Sequence, residues 1–201
     1  METITKTIQR TQNSSVTHTT SSPNSVSLTN KVCQRFGTSE NFLHRVTPDT
    51  QAAFASRKEK AITGDYPTLT DIRIAYGERF PEQWLTAQIA DAALFAGARN
   101  LDKYQQQNLA RLISVEYHYL KVTELLVFFY RLKLGCYGRF YANVDPMMIT
   151  CALREFIKER NACIAEHEQR ERERREAEDR EKNPPITREE WERIKAEKEK
   201  K

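Results

Sequence analysis

The side chains with the most evident chemistry sit in one segment, Tyr130–Tyr141, which reads Y-R-L-K-L-G-C-Y-G-R-F-Y. Arg131, Lys133 and Arg139 bring positive charge, and Tyr130, Tyr137, Phe140 and Tyr141 bring flat faces between the charges. Cations displace counterions from phosphates and aromatic rings stack on unpaired bases, so this interleaving suits single-stranded nucleic acid. On that reading Arg131, Lys133 and Arg139 supply the electrostatic part, and Tyr137 or Tyr141 the stacking part. The competing reading is a helix-to-helix connector whose aromatics belong to the core.

Neighbouring signals do not sharpen the choice. Gly135 and Gly138 make a G-x-x-G, yet the helix that a KH loop must open starts only near Pro146. Y-G-R-F-Y has the look of an RNP1 strand without a four-stranded sheet around it. A second candidate binding element lies at the C-terminus, where Trp191 and Ile194 are the large apolar residues of a short charged segment. Two such residues on a charged helix suit docking, onto this domain or onto a protein partner.

Catalytic and metal chemistry find no footing. Cys163 and His167 stand at i,i+4 and so face the same way on a helix, but Cys136, Cys151 and His118 offer no finger spacing to complete a metal site. No G-x-S-x-G is present, and no cysteine lies in a nucleophile signature. Phosphate-cradling and dinucleotide-binding glycine patterns are missing as well. Glu116 is the one acid on an apolar helix stripe, where burial would raise its pKa; an edge position, or pairing with Arg111, Lys121 or Arg131, competes with that. We therefore expect no catalytic residue, no metal and no cofactor, and a protein that is not an enzyme.

Composition sets the frame for these elements. The chain has 201 residues, 30% charged and 39% hydrophobic, with six glycines. Sparse glycine with abundant Glu, Lys, Arg, Ala and Leu argues against an all-β sandwich or barrel and for helices. No run approaches the ~20 apolar residues of a membrane span, and residues 1–30 have no apolar signal core, so the cytoplasm is expected. The four cysteines lie far apart, which fits reduced thiols. Residues 1–165 carry 20 Lys/Arg against 15 Asp/Glu, whereas residues 166–201 carry 12 against 13. The excess over residues 1–165 allows contact with a polyanion, and it is also common in proteins that make none.

Periodicity and punctuation give an all-α domain of about five to six helices over residues 36–164. Residues 1–35 read as a disordered arm, because 1–30 contain fourteen Ser/Thr and no aromatic and cannot offset their ordering entropy. Helices are expected over Asp49–Ala61, from Thr68 to Tyr76, from Pro81 to Gly97, over Leu101–Leu120, over Glu124–Leu134 with Thr123 as cap, and from Pro146 onward. The run Leu125–Tyr130 would also suit a buried strand; its cap and closing Gly135 favour a central buried helix. Residues 165–182 lack an apolar stripe but hold acid-to-base i,i+4 pairs such as Glu166–Arg170 and Glu176–Arg180, which predict a solvated helix. Residues 183–201 hold a Pro184-Pro185 break and a terminal helix opened by a Thr187–Glu190 capping box, with Ile186 stapled to Trp191.

The stretch from Tyr117 to Arg160, with Y-H-Y-L-K-V-T-E-L-L-V-F-F-Y-R-L-K-L-G-C-Y-G-R-F-Y-A-N-V-D-P and then A-L-R-E-F-I-K-E-R-N, resembles small, uncharacterised helical proteins of Bacteroidales genomes and their phages or mobile elements. T-L-T-D-I-R-I-A-Y-G near Thr68 belongs to the same likeness. It implies a prokaryotic cytosolic accessory protein tied to replication or transfer of an element, and it brings no site residues. The expected function is a non-enzymatic adaptor for a protein partner. A nucleic-acid-binding accessory that uses Tyr130–Tyr141 is the alternative.

Overall fold

The computed structural model describes residues 31–97, 101–138, 145–182 and 188–198. Among them the chain is all-α and has no strand. After a helical turn at residues 31–36 come α1 (Ser39–Arg45), a 3-10 turn (Pro48–Thr50), α2 (Gln51–Ala55), α3 (Lys58–Thr63), α4 (Leu69–Tyr76), α5 (Phe80–Phe95), α6 (Lys103–Glu116), α7 (Val122–Lys133), α8 (Pro146–Lys182) and α9 (Arg188–Lys198). Of the arm expected over residues 1–35, residues 1–30 lie outside the described residues, as do Pro184-Pro185 and the Ile186 and Thr187 motifs; residues 31–35 are helical instead, with Val32 buried.

Caps explain most boundaries. Thr68 and Asp71 exchange hydrogen bonds at the start of α4 (3.1 and 2.8 Å), and Asp102 with Gln105 does the same for α6 (2.7 and 3.1 Å). Each exchange satisfies amides that no intrahelical carbonyl can reach. Gly97 and Gly135 take the positive φ values (66° and 75°) expected of residues just past a helix end.

Two further expectations need correction, and one helix was not expected. The helix expected over Asp49–Ala61 breaks at Ser56–Arg57, where Arg57 leaves helical geometry (φ −124°, ψ 47°) and the Ser56 hydroxyl bonds back to the Ala53 carbonyl at 2.9 Å, a local competitor of the helix ladder. Thr123 does not cap α7; its hydroxyl donates to the Ala61 carbonyl at 2.7 Å. The cap position falls to Lys121, whose amide donates to the Glu124 carboxylate at 2.8 Å. The helix α1, opened by Thr38 accepting from the Asn41 amide, was not anticipated at all.

The core is built around α7, where every residue from Val122 to Phe129 is buried, as is Leu132. Phe128 gathers Phe129, Phe156 of α8 and Tyr137 at ring separations of 5.0, 5.7 and 6.0 Å. α2 and α3 lie against α7, and α5 packs along α6. Each fully buried Phe or Leu contributes about 1.5–3 kcal/mol, which makes this helix a large source of stability. A backbone tie holds α4 to the segment before α7. Leu69 and Thr70 donate to the Leu120 and His118 carbonyls (3.0 Å each), and Val122 donates to Pro67 at 2.9 Å.

At about 1.5 Å per residue α8 is roughly 55 Å long. Its first turns bury Ile149, Ala152, Leu153 and Phe156. The helix stays tied to α3 as far as Arg170, whose guanidinium reaches Glu59 at 2.7 Å. From Arg172 to Lys182 every side chain is exposed. Of the expected i,i+4 pairs Glu176–Arg180 is formed (3.7 Å), while Arg170 is diverted to Glu59 and Glu171 pairs with Arg174 at 2.9 Å.

Candidate functional site

The basic and aromatic residues after α7 are bound into the domain's own contacts. Arg131, in the last turn of α7, donates from Nε to the Tyr137 hydroxyl at 3.0 Å. Its Nη2 lies 3.0 Å from a Glu159 carboxylate oxygen, to which Lys58 adds its ammonium at 3.1 Å. One α8 carboxylate therefore collects a cation from α7 and another from α3. Tyr137 is half-buried, and burial pushes its hydroxyl above the ordinary tyrosine range. Lys133 pairs with Asp91 of α5 at 2.7 Å, with its ammonium 5.8 Å from the Phe95 ring centre.

Of the five residues proposed for nucleic acid, then, Arg131, Lys133 and Tyr137 all have protein partners. Arg139 and Tyr141 lie outside the described residues. The network does mechanical work. It ties α7 to α8, α3 and α5 at the C-terminal end of α7, and it neutralises each described cation of the segment with a carboxylate.

At the C-terminal candidate, Trp191 is 56% exposed on α9, and the Lys195 ammonium lies 5.5 Å from its ring centre. The Ile194 side chain lies outside the described residues. A large aromatic in this setting offers area and a polar N–H to a partner.

The remaining titratable candidates resolve into structural roles. His167 turns its Nδ1 toward Glu59 at 3.0 Å. Hydrogen bonds from His167 and Arg170 hold the Glu59 carboxyl below its ordinary value. Cys163 is half-buried, and burial pushes its thiol up, away from the reactive thiolate. All four cysteines are free thiols. Among the described residues no three His, Cys, Asp or Glu side chains gather as a metal would need. No helix of the described residues is long and apolar enough to cross a membrane.

Glu116, the acid singled out by its stripe, is exposed. Among the described residues the buried acid is Glu124, with no exposed surface. One of its oxygens meets Arg160 Nε at 2.8 Å and the other accepts from the Lys121 amide. Burial raises its pKa, and the Lys121 amide and Arg160 offset part of the rise. A signal for this pair is present in the chain. Glu124 is the sole charge inside T-E-L-L-V-F-F, and Arg160 falls four residues beyond Phe156 on the inward stripe of α8.

With this geometry in place, a family model matches residues 101–201, just over half of the chain; it describes a family of unknown function, DUF6633. No curated protein and no solved structure matches the chain.

Proposed function

The chain belongs to the DUF6633 family, and since that membership brings no activity with it, we propose from the chain's own surface a non-enzymatic adaptor that binds a protein partner through its terminal helix. The observation that carries the reading is Trp191, more than half exposed on α9, beyond a stretch of α8, Arg172 to Lys182, in which every side chain is exposed. Exposed Trp is uncommon on a surface with no partner, and Trp is among the residues that most often dominate binding energy. The solvated part of α8 then acts as a spacer that carries α9 away from the domain.

The pairing of Arg131 with Glu159 and of Lys133 with Asp91 weighs against the alternative, a nucleic-acid-binding accessory of replication or element transfer. Phosphates would have to displace carboxylates already 2.7–3.0 Å away. On the resemblance to proteins of Bacteroidales genomes and their phages or mobile elements, we read the partner as a cytoplasmic protein serving such an element.

The test compares affinity capture by the full chain and by Trp191→Ala, alongside electrophoretic shifts with single- and double-stranded DNA and RNA across a salt series. Capture of one defined protein that is lost in Trp191→Ala supports the adaptor. Salt-dependent shifts whose slope drops by about 2–3 on replacing Arg131, Lys133 and Arg139 by Ala would put the alternative in its place.

A further inference from the structure

Beside α2, two adjoining cavities share the walls of Phe54 and Tyr66, whose rings meet edge-on at 6.0 Å. The first, about 190 Å³, is rimmed by Arg57 and Lys60. The second, about 130 Å³, is walled by Phe36, Phe42, Val46 and Val122, with Arg45 beside them. Thr123 also lines it, but its hydroxyl is spent on the Ala61 carbonyl. An apolar cavity of about 150 Å³ holds a benzene ring, so the second is of a size for one aromatic ring or one branched aliphatic side chain.

The charge around these cavities is unbalanced. Within the same few residues Lys58 is taken by Glu159, and Glu59 by His167 and Arg170. Arg57 and Lys60, both exposed, have no ion pair or hydrogen-bond partner for their side chains among the described residues. Among the described residues Arg45 bonds only the Arg35 carbonyl, and the nearby Asp65 carboxylate is already paired with Arg35. Three cations without a carboxylate partner among the described residues thus ring an aromatic notch, an arrangement that focuses positive potential on whatever enters it.

We propose that this notch is a docking site for a short acidic segment of a protein partner. One Leu or Phe side chain fills the 130 Å³ cavity, and flanking Asp or Glu carboxylates rest on Arg57 and Lys60. A nucleobase fits poorly, since the apolar walls would leave its polar edges unpaired. The chain's own residues 1–30 do not complement the site, because Glu2 is their single acid against Lys6 and Arg10. The Glu189–Glu192 segment of a second copy has the right charge, but its anchor is Trp191, and an indole is larger than the ring this cavity holds. The proposal rests on the adaptor reading and adds to it a second surface with a defined ligand chemistry.

The experiment measures fluorescence anisotropy of a labelled E-E-L-E-E peptide with the full chain. Saturable binding that weakens with salt is expected, together with an approximately tenfold loss in Arg57→Glu/Lys60→Glu and loss of binding by E-E-S-E-E. Both substituted residues are exposed, so an unchanged thermal melt confirms that the variant is folded. Trp191→Ala should bind the peptide like the wild type, so failure here leaves the terminal-helix reading standing. The proposal is overturned by no binding up to about 1 mM, by equal binding of K-K-L-K-K, or by full affinity in the charge-reversed variant. Tighter binding of a peptide of residues 188–198 would overturn it in favour of a second copy. A gain in affinity on removing residues 1–30 would overturn it in favour of the chain's own arm.

Discussion

Arg160 reaches across from α8 to meet Glu124 on α7 at 2.8 Å, and the carboxylate it meets is sealed from solvent. A buried pair of this kind adds little over a well-packed apolar substitute, but removing one partner strands the other charge, at a cost of about 3–5 kcal/mol. Arg160→Ala should therefore be severely destabilised in urea unfolding at neutral pH. The pH dependence gives the mechanism. Glu124 has a folded pKa above its unfolded value, so between the two values the folded state binds the extra proton and stability falls as pH rises. Without Arg160 that folded value rises further. The deficit of Arg160→Ala relative to wild type should shrink as pH is lowered through it, and a deficit constant from pH 7 to pH 5 would show that the carboxylate has found another partner.

The second buried polar contact makes a sharper asymmetry. Gln51 Nε2 donates to Gln88 Oε1 at 2.7 Å, and Gln88 Nε2 donates to the Val46 carbonyl at 3.1 Å, which also accepts from Trp84. Gln51 Oε1 is buried with no partner among the described residues. Gln51→Met removes that orphan oxygen and creates another at Gln88, so its stability should stay within about 1 kcal/mol of wild type. Gln88→Met leaves both ends of the Gln51 amide unpaired and should cost about 1–3 kcal/mol. Adding Gln51→Met to Gln88→Met should then restore stability. A double variant weaker than Gln88→Met alone would contradict this account.

Phe129 tests the central position of α7. It is fully buried beside Phe128, so Phe129→Ala should lose about 3–5 kcal/mol by chemical denaturation. A loss under about 1 kcal/mol would mean that the surrounding rings collapse into the space.

These positions also show what the chain discloses and what it hides. The all-α class, the 68–76 helix with its Thr68–Asp71 box, and the reach of α8 to Lys182 were legible, because capping residues, glycines and i,i+4 charges act locally. The Ser56–Arg57 break and the role of Lys121 were not. Lys121 Nζ donates to the Ile62 and Gly64 carbonyls at 2.7 Å each, closing the end of a helix nearly sixty residues away in sequence, and no periodicity records such a contact. The same holds for the candidate site. Mixed cations and aromatics in Tyr130–Tyr141 were readable as a composition, but their partners Glu159 and Asp91 come from other helices. The notch around Tyr66 assembles residues from Phe36 to Thr123.

Those partners give the last prediction. If Arg131 and Lys133 serve the fold, replacing them should be felt in stability before it is felt in binding. The Lys133 and Asp91 side chains keep only 18% and 32% of their exposure, and Arg131 and Glu159 keep 29% and 34%. Partial burial makes a stranded carboxylate costly. Lys133→Ala should lose about 1–3 kcal/mol, and Arg131→Ala less, because Lys58 still meets the Glu159 carboxylate at 3.1 Å. Lys133→Ala combined with Asp91→Ala should recover part of that loss, the coupling that a double-mutant cycle isolates. Arg131→Lys should recover little, since an ammonium cannot reach Tyr137 and Glu159 in the planar fork that the guanidinium uses. A Lys133→Ala chain as stable as wild type would free that ammonium from its structural role and reopen the basic segment as a phosphate-binding surface.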